Sequence, residues 1–429
     1  MQLLNWVHQY AGKLDVLARR QLIQAHRPLR RVPCFLQNLA QGLLHRWIKV
    51  PVIVQLKEIP EDGLTNSVCR VGGIDRRRIH RELPICNGVA ARLSIADIRR
   101  LLEQESVVRI TYDRPVRALL DVVTPAVGAA AGQQDGFTGR GVTVAVLDTG
   151  IHPHPDLTQP VNRIIGFRDF VNGRTEPYDD NGHGTHCAGD VAANGGQSGG
   201  RYRGPAPEAS LVGVKVLNNQ GAGSLSTVIQ GIDWVVQNRD AFGIRVLSMS
   251  LGSPPAGPPS QDPVVQAVEA AWNSGIAVAV AAGNEGPGSG TISSPGDSPR
   301  VITVGAVDDR RTVPQNDDVV ASFSSRGPTS EGVTKPDIAA PGVGIISLRA
   351  PGSFLDKMMK SARVGDWYFR LSGTSMATPI VAGTIAQLLQ KNPAMTPDEV
   401  KAALMDNAFD LGEDPNAQGR GEVQVGGLL

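Results

Sequence analysis

The chain has 429 residues, of which 41% are hydrophobic and 19% charged, and its 42 Lys and Arg nearly balance 41 Asp and Glu. No run approaches the ~18 apolar residues of a membrane helix, and this much apolar content with so little net charge excludes a disordered chain. Four cysteines, Cys34, Cys69, Cys86 and Cys187, are too few for a disulfide scaffold and lack the paired spacing of a zinc site, so the fold must rest on packing.

Met1 to His8 show no early basic residue, no continuous apolar stretch and no cleavage-site pattern; without a secretory signal, the expected compartment is cytoplasmic. Residues 1–48 read as a basic helical extension, with Leu3, Leu4, Val7, Leu14, Leu17, Leu22 and Ile23 near helical spacing until Pro28 and Pro33 interrupt. A solvated helix face explains its basic residues better than nucleic acid or an anionic membrane, so nucleic acid is not expected as a partner. Residues 49–120 then alternate strand and helix patterns. Val50–Leu56 and Arg81–Ile85 predict strands, Ser94–Gln104 a helix capped by Ser94 with Asp97 three residues on, and Val107–Tyr112 another strand. Residues 121–140, rich in Ala and Gly, predict a linker. Residues 141–429 alternate continuous apolar runs with helical patterns: Val142–Leu147, a helix from His183, Leu211–Leu217, helix Leu225–Val236, Ile244–Leu251, helix Val264–Ser274, Ile276–Ala282 and Val301–Val307. The fold class that follows is α/β, mainly a parallel sheet with helices on both faces, preceded by a small α+β module. Charge divides along the same line: residues 1–113 hold 18 basic against 10 acidic residues and the rest 24 against 31, so +8 faces −7.

Three glycine-bordered segments carry the chemistry: Val146-Leu-Asp148-Thr-Gly150, Asn181-Gly-His183-Gly-Thr-His186 and Ser372-Gly-Thr-Ser375-Met-Ala-Thr-Pro379. A serine hydroxyl cannot attack an amide unaided; it needs an imidazole to take its proton and a carboxylate to orient and stabilise that imidazole. Asp148 ends an apolar strand, where an open α/β sheet presents reactive groups, and His183 and Ser375 each open a helix. The helix start at Ser375 offers a free N–H to a developing oxyanion, and Asn284, just after an apolar strand in Ala281-Ala-Gly283-Asn284, offers a side-chain amide as second donor.

At these residues the chain resembles the subtilisin-like serine proteases, whose D-T-G, H-G-T-H and G-T-S-M-A-T-P motifs appear in the same order. The resemblance covers about residues 136–428 and, through Ser347 to Asp356 and Ser361 to Asp366, is greatest to AprX-type bacterial intracellular subtilases. It implies a serine endopeptidase with Asp148, His183 and Ser375 as triad and Asn284 with Ser375 as oxyanion hole. It also implies that Gly221, Ala222 and Gly223 form one edge for an extended polypeptide substrate and Ser250, Leu251 and Gly252 the other. Leu225 falls at an apolar subsite, Ala281 and Gly283 among the substrate-binding residues, and Ser293 at the floor of the primary pocket, where many relatives have glycine; medium apolar side chains are expected to fit best. The family commonly carries an N-terminal pro-domain that assists folding and blocks the cleft until cleaved, the role expected of residues 49–120. Asp113 to Leu120 would thread the cleft, with the cut between about residues 112 and 125.

Each motif alone has a bland reading, as a strand-ending turn or a common helix start. Together and in order they leave little room for coincidence, though a binding protein on a protease scaffold, or an esterase, is the rival. His186 reads as a structural hydrogen-bonding residue rather than a metal ligand, His152 and His154 as surface or turn residues, and Cys187 as a buried apolar residue rather than a reactive thiol. No cofactor is expected in catalysis. Asp156 matches a calcium-site position of some relatives, but the loop Ala193 to Gly200 is poor in carboxylates, so a structural calcium is left open only at another loop. The segment Ala350 to Arg370 reads as an insertion.

Overall fold

The structure, a computed structural model, describes residues 5–25, 48–60, 62–113, 115–118 and 127–429. These fall into two compact units, Met1–Arg114 with Ala256–Ala267, and Pro115–Pro255 with Val268–Leu429.

In the first unit, β1 (Lys49–Leu56), helix Leu64–Gly72, β2 (Ile79–Leu83), β3 (Gly88–Ser94), helix Ile95–Leu102 and β4 (Val107–Tyr112) follow one another. The strands form an antiparallel sheet in the order β2-β3-β1-β4, the split β-α-β-β-α-β arrangement. β2 stops before Pro84, which has no N–H to give a ladder. The predicted capping box is present: Asp97 N donates to Ser94 Oγ at 3.2 Å and Ser94 N to Asp97 Oδ2 at 3.1 Å, a pairing that stabilises a helix by about 1 kcal/mol. Helices Asn5–Gln9 and Val16–Ala25 do not form a detached arm. Trp6, Val7, Leu14, Ala18 and Leu22 lie in one apolar cluster with Val52, Leu93, Ile98 and Ile110. Buried Asp15 ties the pieces, accepting from Tyr112 N at 2.9 Å and from Ala18 N. Pro28 and Pro33 lie outside the described residues.

The strands of the second unit are β5 (Pro115–Ala118), β6 (Thr143–Asp148), β7 (Ile164–Asp169), β8 (Ser210–Lys215), β9 (Ala222–Ser224), β10 (Ile244–Met249), β11 (Leu251–Gly252), β12 (Ala277–Ala281), β13 (Ile302–Asp308), β14 (Val319–Val320), β15 (Ile338–Pro341), β16 (Ile345–Leu348), β17 (Arg363–Val364) and β18 (Tyr368–Leu371). Eight of them make the main sheet along β14-β13-β12-β10-β6-β8-β7, with β15 also on β13; all pairings but β13 with β14 are parallel. β6 and β12 are buried at every residue, the signature of a sheet covered by helices on both faces. Chain order reverses at β6, so the carboxyl ends of β6, β10 and β12 border the switch-point crevice where open α/β sheets place their sites.

One stretch differs from expectation. Part of the predicted linker is a helix, Ala129–Gln134, held where Gln387 Nε2 donates to Ala129 O at 3.2 Å and Gln133 Nε2 to Gly204 O and Pro205 O, both at 2.9 Å; alanine favours helix once packing partners exist. The segment Ala350 to Arg370, read as an insertion, folds within the second unit. Helix Phe354–Met358 and the antiparallel sheet β16-β18-β17 enclose Asp356, whose carboxylate accepts from Arg349 Nε at 2.6 Å, Arg363 Nε at 2.7 Å and Gly352 N at 2.9 Å. Although burial opposes ionisation, these bonds hold the Asp356 carboxyl at about 2.

Candidate active site

Asp148 ends β6, and Gly150, two residues on, turns the chain at φ 123°, where an added Cβ would strike the Tyr178 carbonyl. The turn returns to helix His183–Ala192 and sets His183 Nδ1 2.8 Å from Asp148 Oδ1, with both side chains at most 1% exposed. This bond fixes the tautomer with Nδ1 protonated and Nε2 unprotonated in the neutral ring. Burial alone disfavours the imidazolium, but the Asp148 carboxylate outweighs it and raises His183 well above the ordinary imidazole value.

The start of that helix is over-determined. His183 N donates to Asn181 Oδ1 at 3.1 Å, Gly184 N to Thr149 Oγ1 at 2.8 Å and Thr185 N to Asp179 Oδ2 at 2.9 Å. Asp179 also accepts from Asn181 N, Gly182 N, Thr149 Oγ1 and Thr185 Oγ1 at 2.7–3.0 Å. Fully buried Lys215 ends β8 in register with Asp148 and donates to Asp180 Oδ1 at 2.7 Å and Leu217 O at 2.9 Å. Sequence reading missed Asp179 and Lys215; the only signal was an acidic pair just before the histidine motif.

Ser375 lies in the first turn of helix Thr374–Lys391. Pro379, four residues on, has no N–H for the Ser375 carbonyl. That carbonyl is satisfied from outside the helix, by Ser250 Oγ at 2.6 Å and Cys187 Sγ at 3.5 Å, while Ser375 Oγ donates to Ser250 O at 3.3 Å. Ser250 therefore braces the serine rather than only edging the substrate groove. Cys187 is fully buried, 3.8 Å from His183 Nδ1 and 3.9 Å from Asp148 Oδ2. Burial pushes its thiol up to about 12, which keeps it neutral and poorly nucleophilic at physiological pH.

Asn284 follows β12, and its Oδ1 accepts from Thr374 N at 3.0 Å and Thr374 Oγ1 at 3.1 Å. With the oxygen tied to the residue before Ser375, the NH₂ end is left as donor. Ala281 ends β12 fully buried, and Gly283 adopts φ 111° because Ser293 Oγ and Ser325 Oγ occupy the space of a Cβ. Ser293 also crowds Gly252, with 3.0 Å between its Cβ and a Cβ built there. The two expected substrate edges flank one strand of the chain itself. β5 pairs antiparallel with β9, Arg117 opposite Ala222 and Val116 opposite Gly223, and with β11, Ala118 opposite Leu251 and Arg117 opposite Gly252. Gly221 turns the chain into β9 at φ 72°, and Leu225, fully buried, opens the helix after it.

His186 is structural in geometry, bonded through Nδ1 to Asp190 Oδ2 at 2.9 Å and through Nε2 to Phe369 O at 3.1 Å. His154 caps a short helix, accepting from Asp156 N at 3.0 Å, and is fully buried rather than at the surface. The Asp156 carboxylate accepts from Tyr368 Oη at 2.6 Å through one oxygen and from Gln197 N at 2.9 Å through the other. Among the described residues the one His/Cys/Asp/Glu group tight enough to share an ion is Asp148, His183 and Cys187, which is the dyad itself with its neighbouring thiol.

A buried carboxylate–imidazole pair beside a helix-start serine, at the switch point of a mainly parallel sheet, defines a subtilisin-like serine peptidase, and the chain belongs to the subtilase family, whose model matches residues 139–422. It is 50% identical to Serine protease AprX of Bacillus subtilis (strain 168) over 434 residues, covering 99% of this chain and 97% of that one. It is also similar to Subtilisin Savinase of Lederbergia lenta, 41% identical over 299 residues that cover 70% of this chain and 94% of the relative. Subtilisin DY of Bacillus licheniformis is 38% identical over 304 residues, again 70% of this chain and 95% of the relative. Among the described residues no helix is long and apolar enough to cross a membrane.

Proposed function

We propose that the protein is a self-processing endopeptidase for extended or unfolded polypeptides. A substrate strand pairs between β9 and β11, and Ser375 Oγ attacks the scissile carbonyl carbon while His183 Nε2 takes the hydroxyl proton. Asp148 stabilises the imidazolium, and Asn284 Nδ2 with the Ser375 N–H stabilises the oxyanion. The C–N bond breaks as His183 gives its proton to the leaving amine; water, deprotonated by His183, then hydrolyses the acyl-enzyme. No step requires a metal or cofactor. Ser293 narrows the primary pocket and favours medium apolar side chains over bulky ones.

The observation that carries this reading is β5. It pairs with both edges expected to hold a substrate strand, and its register runs from Gly252 to Leu251, toward Ser250 and Ser375. A strand so placed is the acyl side of a bond to be cut, which supports residues 49–120 as an inhibitory pro-domain released by cleavage within 119–125. Cys69 and Cys187 carry free thiols, in keeping with a cytoplasmic site of action.

Purified protein beside Ser375→Ala, followed by intact mass and casein hydrolysis with and without a serine-directed phosphonyl fluoride, tests both parts. The native protein alone should lose its first 119–125 residues and gain inhibitable proteolysis. Uncut native protein that digests casein at full rate overturns the pro-domain reading, and a Ser375→Ala protein that still hydrolyses casein overturns the assignment of the nucleophile.

A further inference from the structure

The segment between β16 and Ser375 is tied to the histidine loop and also exposes apolar side chains. Phe354 N donates to Asp180 O and Leu355 N to Asn181 O, both at 2.9 Å, three and two residues before His183. Ser353 packs against Gly182, where an added Cβ would lie 2.7 Å from Ser353 Oγ. Leu355 and Asp356 are buried, and the Arg349–Asp356–Arg363 cluster makes the segment rigid. Phe354 is 36%, Met358 68% and Met359 37% exposed. Phe354 and Met358 are four residues apart on one helix and share a face. Single exposed apolar residues are ordinary, but three within six residues on a rigid element beside a catalytic histidine form a patch of the kind that marks binding.

β5 says which part of a substrate would meet it. The acyl half lies between β9 and β11 and runs toward Ser375, so the half beyond the scissile bond leaves from the side of Ser375 and His183 away from that groove. The Phe354–Met358 helix is bound to the loop that enters His183, and β18 leads into the turn before Ser375. We propose that Phe354, Met358 and Met359 bind apolar side chains of the polypeptide segment C-terminal to the scissile bond. Unbranched methionines adapt to many apolar shapes, so the surface selects apolar character rather than one residue type. Apolar segments are accessible in unfolded chains and buried in folded ones, which makes this face a sensor of unfolded substrate. The inference rests on the proposed endopeptidase reading.

The test uses mature enzyme and three substrates with the same acyl half: a peptide with Leu-Phe beyond the scissile bond, one with Ser-Gly there, and an anilide with no residues there. Wild-type enzyme should cleave the Leu-Phe peptide with about tenfold higher kcat/KM than the Ser-Gly peptide. Phe354→Ser/Met358→Ser should bring that ratio close to one. Met358→Ser alone, at the most exposed position, should lower it severalfold, and Val313→Ser, an exposed apolar position outside the segment, should leave it unchanged. A double variant that keeps the wild-type ratio overturns the inference, as does a wild type that shows no preference while hydrolysing the anilide. A wild type that hydrolyses none of the three overturns the endopeptidase reading itself.

Discussion

Two helices begin at the site, one at His183 and the other at Thr374, and their first turns are finished differently. In the first, the N–H groups of His183, Gly184 and Thr185 all donate to side chains, of Asn181, Thr149 and Asp179. In the second, Thr374 N is taken by Asn284, Met376 N reaches back to Gly373 O at 3.2 Å, and the Ser375 N–H has no acceptor among the described residues. A helix start leaves N–H groups to be satisfied. The first start satisfies these N–H groups from within, while the second leaves one without an acceptor among the described residues, as the proposed oxyanion site requires. Rigidity and reactivity are thus divided between two otherwise similar elements.

The largest effect should come from breaking the satisfied start. Asp179→Ala removes the acceptor of five buried hydrogen bonds, and loss of a buried charged acceptor of this kind costs about 3–5 kcal/mol. The urea midpoint of the mature enzyme should fall accordingly, and an unchanged midpoint would mean that the His183 turn is held by the surrounding packing instead. Asn284→Ala attacks the unsatisfied start. It should lower kcat about 10²–10³-fold, the usual cost of removing one oxyanion-hole donor, with only a small change in Tm. A similar loss of stability in both variants would erase the contrast.

The base side can be read by pH. His183 must be neutral to accept the serine proton, and its imidazolium is stabilised by Asp148, so kcat/KM should rise with pH through a limb above the ordinary value of about 6.5. Asp148→Asn should move that limb to lower pH, besides its large loss of rate; an unmoved limb would assign it to another group. Because the folded value is raised, the pair contributes stability that is present below about pH 6.5 and lost as pH rises through the folded value. The smallest effect should be that of Ser250→Ala. The Ser375 carbonyl, deprived of an intrahelical partner by Pro379, would keep only the Cys187 thiol, costing about 1 kcal/mol in stability and a severalfold loss in kcat.

Much of the fold and of the candidate site could be read along the chain because the physics involved is local. Strand β6 ending in Asp148, the Ser94–Asp97 capping box and the helix starts at His183 and Ser375 depend on residues a few positions apart, and a parallel sheet buried on both faces betrays itself as continuous apolar runs. Asp179 and Lys215 escaped notice because their value lies in five bonds converging on one buried carboxylate and in a buried ammonium site, which no motif announces. The helix within 121–140 and the integration of residues 5–25 into a sheet core were likewise settled by packing, since alanine-rich and basic amphipathic stretches are indifferent until they find a partner. By itself the sequence determined which chemistry is present and on which element each reactive group stands. Only the tertiary structure decided that β5 fills the groove between β9 and β11, that Ser250 braces the serine and that Phe354 and Met358 face outward, because each depends on segments more than a hundred residues apart or on the side of an element left uncovered.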